Sequence, residues 1–231
     1  MMSRLSLPLF CLLFVCASCK QDNYDSGEGE LSMLTADFAV IEVSGDTLVR
    51  SATTDDNRSL TLTAPTRPNW VNRPDTAYRA LFYYKTTNGA SGAVEPYGMQ
   101  RVAVATPLRP ERFTEGVKQD PMTLESLWMS KNRRWVNLSL LLKVGATDDA
   151  DAGHILGFVR DTLLRRPLAV GSTDSLSTLC LRLHHEQNKV PDHYTQRVYV
   201  SLPTASLEGA DTLRLSLNTS DGLVVKTLSL R

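Results

Sequence analysis

Tyr78-Arg79-Ala80-Leu81-Phe82-Tyr83-Tyr84-Lys85 is the stretch on which the fold of this chain turns. It is aromatic and apolar, suits a pleated surface, and contains no glycine or proline to interrupt a strand. Alternation puts Tyr78, Ala80, Phe82 and Tyr84 on one face, toward a core, and Arg79, Leu81, Tyr83 and Lys85 on the other, facing out. Upstream, residues 35–43 read as a strand, Ser44-Gly45-Asp46 as a turn, and residues 47–50 as the hairpin partner. Asp55-Asp56-Asn57 is a further turn signal, and Leu60-Thr61-Leu62 alternates. Pro65, Pro68 and Pro74 mark a loop around Trp70, because proline is excluded from central strands. Downstream, Asn88-Gly89 signals a turn, and residues 99–105 read as a strand with Val102 and Val104 on one face. About five short strands in this span predict a small barrel of the OB type.

Residues 107–120 are polar and carry both proline and glycine, which marks a domain boundary. The expectation is an OB-like barrel over 31–112 and a second domain over 118–231, with residues from Met122 onward able to fold alone. Residues 122–129 fit either a short helix or an extended approach. Residues 135–144 alternate and then become continuously apolar, as in a strand buried on both sides. Residues 154–159, 179–185, 197–202, 212–217 and 223–230 read as further strands, with Asp221-Gly222 joining the last two as a hairpin. Six strands spaced by turns predict a β-sandwich, so the whole chain is all-β.

Composition agrees with a folded chain: of 231 residues, 42% are apolar and 22% charged, enough to bury a core. Lysine plus arginine and aspartate plus glutamate number 25 each, so the net charge is zero. That argues against a nucleic-acid partner, whose binding rests on neutralising phosphates.

The N-terminus reads as an export signal over residues 1–18: Arg4, an apolar run over 5–15, then small residues ahead of Cys19. The run is too short to span a bilayer as a helix. Cys16-Ala17-Ser18-Cys19 resembles the bacterial lipobox, with Cys16 where leucine is usual, which implies lipidation of Cys19. Cleavage nearby without lipidation is the other reading. Residues 19–30 are polar, acidic and glycine-containing, a solvated tether. Their opening, Cys-Lys-Gln-Asp-Asn-Tyr-Asp, also resembles the tether of Bacteroidota-type surface lipoproteins. The expected location is the outer membrane or cell surface, with a lipid as the membrane contact.

Cys11 and Cys16 leave with the signal and Cys19 carries lipid, so Cys180 is left without an intramolecular disulfide partner. Its alternating surroundings predict a small inward-facing residue and not a nucleophile.

Candidate chemistry is sparse. His184 and His185 are adjacent on a strand, point to opposite faces and so cannot easily share an ion; they are expected to be solvated strand-end residues. Asp148, Asp149 and Asp151 lack the spacing and central glycine of a calcium loop and read as an exposed acidic tip. No catalytic, cofactor or metal residue is expected, although two distant carboxylates can meet in a fold and form a hydrolase. Tyr78, Phe82, Tyr83, Tyr84 and Tyr97, with Arg73, Arg79 and Lys85, offer a stacking surface, with core packing as the competing account. Lys131-Asn132-Arg133-Arg134 reads as a solvated basic turn.

Asp-Thr/Ser followed by an aliphatic residue recurs at Thr47, Thr76, Thr162, Ser175 and Thr212. It resembles the acceptor triplet of periplasmic O-glycosylation in Bacteroidota, which implies sugar at one or more of these hydroxyls. A β-rich chain also generates the triplet unaided, since Asp favours turns and Thr favours strands. Either way these hydroxyls are expected at exposed turn edges.

Three stretches carry a family resemblance: Asp75-Thr76-Ala77-Tyr78-Arg79-Ala80-Leu81-Phe82-Tyr83-Tyr84, Leu127-Trp128-Met129-Ser130-Lys131-Asn132-Arg133-Arg134-Trp135-Val136-Asn137-Leu138, and Tyr194-Thr195-Gln196-Arg197-Val198-Tyr199-Val200-Ser201-Leu202. With the lipobox and acidic tether they resemble the NigD-like lipoproteins of Bacteroidota. The resemblance implies an N-terminal OB-like domain, a C-terminal β-sandwich and a lipid anchor, and brings no catalytic residues. Two functions of different class follow. One is a non-enzymatic surface lipoprotein that binds a glycan, protein or envelope component, including a bacteriocin-immunity or accessory role; the other is a hydrolase with a dispersed site. A deep cleft with two carboxylates about 5–10 Å apart would favour the hydrolase, and a shallow aromatic platform would favour binding.

Overall fold

The computed structural model describes residues 33–87, 92–168 and 175–231. The signal and tether of residues 1–30, including Cys19, and the Asn88-Gly89 turn lie outside them.

Strands β1 (Thr35–Val43), β2 (Val49–Thr54), β3 (Ser59–Thr66), β4 (Thr76–Thr86) and β5 (Ala93–Arg101) close a barrel in the order β1-β2-β3-β5-β4. The β3–β5 seam is parallel and the other pairings are antiparallel, which gives the expected OB-like barrel. Ile41, Val49, Leu60, Ala80, Phe82 and Tyr84 fill its interior. Tyr78 sits half-buried beside them, edge-on to Trp70 with ring centroids 5.6 Å apart.

Local departures from expectation have local causes. Thr47 has a φ of 63°, a left-handed turn conformation, so β2 begins only at Val49. Pro65 belongs to β3, where the register between Val49 and Ser51 of β2 is irregular and asks no amide of it. Residues 99–105 do not form one strand. The Val102 amide donates to the Arg79 carbonyl and its side chain is buried, whereas Val104 is 49% exposed.

Past that break the chain enters a sandwich. β6 (Ala103–Val104), β7 (Thr123–Met129), β8 (Trp135–Val144) and β11 (Tyr194–Pro203) form one sheet in the order β6-β11-β8-β7. β9 (Ile155–Pro167), β10 (Ser175–Glu186), β12 (Thr212–Thr219) and β13 (Gly222–Ser229) form the other, ordered β13-β12-β10-β9. Leu138 and Leu140 of the first sheet meet Leu179, Leu181, Leu213 and Leu215 of the second in one core. Residues 122–129 thus resolve as extended, and Asp221-Gly222 closes the β12–β13 hairpin.

The segment reserved for the boundary is docked on the sandwich. Leu108 bridges to Val159 of β9, and Gln119 bridges to His185 of β10. Cys180 faces away from the core, because period two turns Leu179, Leu181 and Leu183 inward and leaves Cys180 half-buried on the opposite side.

Candidate functional site

Arg79 was expected to face solvent. It does leave the barrel, but into the β8–β11 face of the sandwich, and is 3% exposed. Its guanidinium donates two 2.6 Å bonds to the Asp55 carboxylate and further bonds to Asn137 Oδ1 at 3.2 Å and Ser201 Oγ at 3.3 Å. Asn137 Nδ2 donates to Asp55, and Ser201 Oγ donates to Asn137 Oδ1, so the group is mutually satisfied. The guanidinium carbon lies 4.7 Å from the centroid of the Trp135 ring and 5.5 Å from that of Phe38. Phe38 also stands edge-on to Trp128 and Tyr199.

A cleft of about 360 Å³ opens beside this cluster, lined among others by Asp37, Phe38, Asp55, Asp56, Trp128 and Lys131. Here carboxylates do meet in the fold. Each, however, already holds a cation: Asp55 pairs with Arg79, while Arg58 pairs with both Asp37 and Asp56. The Thr54 hydroxyl, with Arg58 behind it, holds Asp56 below the usual carboxylate range. Burial, and then the Asp37 carboxylate that accepts its hydrogen bond, push the Tyr84 phenol up to about 12. These neighbours favour an ionised Asp56 and a neutral Tyr84 phenol.

His184 and His185 are buried, at 5% and 1% exposure, and not solvated as expected. Residues 118–120 cover them. The Lys118 amide donates to His184 Nδ1 at 2.9 Å, and Phe113 lies against the His184 ring. Gly157, opposite His184 in the ladder, leaves the room that Phe113 occupies. His185 Nδ1 is 2.9 Å from the Asp120 carbonyl, His154 Nε2 is 2.8 Å from the Lys143 carbonyl, and His154 Nδ1 faces His185 Nε2 at 2.9 Å. Each outer nitrogen must donate to its carbonyl. With both outer nitrogens donating, the facing His154 Nδ1 and His185 Nε2 are bridged only by a hydrogen carried on one of them. Burial lowers the His185 pKa.

His154 borders a larger cleft of about 480 Å³ on the open side of the sandwich. Leu142, Val144, Leu156 and Val198 form its apolar part, with Gln100 and Arg101 from the barrel end and Gln196 and Tyr199 from β11.

The other sequence candidates are scattered. Among the described residues no group of three histidine, cysteine or acidic side chains is placed to hold a metal ion, and the Asp149 carboxylate pairs with Lys189. Lys131 lines the cleft beside Asp55, and the Asn132 amide donates to the Asp55 carbonyl, so the basic turn is part of the layer contact. Tyr97 is 59% exposed and lines a shallow cleft of about 140 Å³ with Trp70. Of the triplet hydroxyls only Thr162 belongs to an exposed residue, and it sits within β9 and not at a turn edge. Thr47, Thr76, Ser175 and Thr212 are half-buried. The Thr47 and Thr76 hydroxyls donate to the Asp46 and Pro74 carbonyls.

Sequence reasoning missed the Arg79 cluster, the histidine pair and the β11 cleft. A faint signal existed for the first, since an arginine within an aromatic strand invites a partner.

An OB-like barrel followed by an eight-stranded sandwich defines a two-layer, all-β class of protein. The same architecture occurs in a NigD-like immunity protein from Bacteroides caccae, with a TM-score of 0.63 and 22% identity over 83% of this chain and 91% of that one. It occurs also in a protein from Parabacteroides distasonis described as toxin-related, with a TM-score of 0.60 and 17% identity over 84% and 92% of the two chains. A chain from Bacteroides fragilis described as a lipoprotein gives a TM-score of 0.58 and 13% identity over 86% and 98%. The expected resemblance to NigD-like proteins therefore holds at the level of the fold. No protein-family model matches the sequence, and no curated protein matches it.

Proposed function

We propose that this chain is an exported, lipid-anchored protein of the cell envelope that acts by binding and not by catalysis. One observation carries the reading: the carboxylates of the inter-layer cleft are each tied to an arginine, while the larger cleft beside β11 is apolar with an open strand edge. A hydrolase of the two-carboxylate kind needs one carboxyl kept protonated by a raised pKa, and the surroundings of Asp56 work the other way. An apolar cleft with a few polar groups at its rim suits recognition.

Cys19 is the anchor in this reading. The residues between it and Thr35, where β1 begins, reach at most about 50 Å when fully extended, enough to hold the domains clear of a headgroup layer. The B. fragilis neighbour described as a lipoprotein supports the anchor, and the B. caccae neighbour supports immunity as one form the binding takes.

The test is affinity capture of the full-length protein cross-linked in its own host, together with turnover assays on chromogenic glycosides, esters and peptides. A stoichiometric envelope or bacteriocin partner without turnover is the expected result. Turnover lost on Asp56→Asn would overturn it.

A further inference from the structure

We propose that the open edge of β11 receives an extended, acidic segment of a partner polypeptide by strand addition. This deepens the binding reading above and rests on it.

β11 bonds to β8 along its whole length, from Tyr194 opposite Val144 to Pro203 opposite Trp135. On its other side, among the described residues, only Val200 and Ser201 have a strand neighbour, the two-residue β6. From Tyr194 to Tyr199 that side pairs with no strand among the described residues. An edge of this kind presents a row of amides and carbonyls to any extended chain. β6 is short because the chain arrives at Ala103 directly from the barrel, through the buried Val102. An added strand would lie end to end with β6 and span about six residues, roughly 20 Å.

The cleft described above runs beside this edge and supplies the rest of the recognition. Leu142, Val144, Leu156 and Val198 receive the inward side chains of the added strand, which arrive at every second residue. Among the lining residues Arg101 is the charged group, His154 adds an imidazole, and no carboxylate is present. Arg101 has no ion pair among the described residues; its guanidinium carbon lies 5.9 Å from the centroid of the Tyr78 ring. The complementary occupant is an aliphatic strand carrying Asp or Glu. The same charge disfavours a second copy of this chain, because edge-to-edge pairing about a two-fold axis would bring both Arg101 guanidinium groups to one seam.

The experiment presents full-length protein in detergent to a displayed library of random dodecapeptides. Enrichment of peptides that alternate aliphatic with acidic residues is expected. Their binding should fall at least tenfold with Arg101→Glu, whose melting temperature should match the parent because Arg101 is exposed. N-methylation at alternate peptide amides should abolish binding, and bound peptide should slow hydrogen exchange at residues 194–199. No enrichment, binding indifferent to N-methylation, or binding indifferent to Arg101→Glu would each overturn the proposal. So would a concentration-dependent dimer that protects the same amides, since a second copy would then be the occupant. If the library fails while capture in the host still yields a stoichiometric partner, the strand-addition site falls and the binding reading stands.

Discussion

Arg79 and Asp55 meet fork to fork at the layer contact, two bonds of 2.6 Å joining a guanidinium 1% exposed to a carboxylate 16% exposed. Both residues belong to the barrel region, Arg79 on β4 and Asp55 just after β2, yet Asn137 and Ser201 of the sandwich complete the group. The pair thus fixes how the barrel sits on the β8–β11 face. Net stabilisation from such a buried pair is modest, but leaving one member unpaired is costly, on the order of 3–5 kcal/mol.

Asp55→Ala should therefore lower unfolding stability by about 3 kcal/mol in urea, since it strands Arg79 beneath the sandwich. Arg79→Met combined with Asp55→Leu should lose less than Asp55→Ala alone, because no buried charge is orphaned. If the double variant is the less stable of the two, the pair's own attraction outweighs its desolvation and this account is wrong.

Cys19→Ala separates anchor from tether. Wild-type protein made in its host should partition with membranes and incorporate a fatty-acid probe, and the variant should do neither. Labelling that survives the substitution would reject lipidation at Cys19.

The strands were legible because burial on one face of a sheet writes a period of two into the chain, as at Phe82 and Tyr84 or Leu179, Leu181 and Leu183. The same rule failed for Arg79, which does point out of the barrel. Its burial depends on Asn137 and Ser201, far along the chain, and alternation within β4 carries no record of them. His184 and His185 misled for a related reason. Strand-end histidines are ordinarily wet, but here residues 118–120 fold back over β10 and supply their partners. The β11 cleft follows from how short β6 is, and that depends on where the barrel hands the chain over.

That handover bears on which pieces fold alone. A chain beginning at Met122 loses β6, the Leu108–Val159 bridge, the Lys118 amide on His184 and the Asp120 carbonyl on His185. One beginning at Val102 keeps them all. Thermal melts should show a cooperative transition for the longer piece, and a lower or absent one for the shorter. Equal melting temperatures would mean that residues 103–120 are ornamental to the sandwich.

Thr162 is the most accessible of the triplet hydroxyls, and its neighbour Asp161 is held by Arg182 on the adjacent strand. A sugar there would project from β9 without displacing core. Intact-mass analysis of protein from its native host should show hexose-sized increments that decrease with Thr162→Val. A mass without any hexose-sized increment would exclude glycosylation at every triplet.

Acid should loosen the cover over β10. Burial lowers the pKa of both His184 and His185 from the usual 6.5, so the folded state holds them neutral while the unfolded chain takes up protons near that value. Their contribution is complete above about pH 6.5 and is lost as pH falls toward their depressed folded values. The groups around them are Lys118 and Asp120 on the covering segment, Glu186 at the end of β10, and His154 before β9. His184 has a specific reason to resist protonation, because Nδ1 already accepts the Lys118 amide. For His185 the cause is its burial, at 1% exposure. Asp46, Asp56, Glu125 and Asp211 are all lowered and titrate below this window, so a change between pH 7 and 5 reports on the histidines. The melting temperature should drop across that interval, by roughly 2–4 °C for each kcal/mol lost. Hydrogen exchange should quicken first at the Lys118 and His185 amides, which bond across the cover. A flat melting profile from pH 7 to 5, with unchanged exchange at those two amides, would show that the histidines titrate as they do in the unfolded chain.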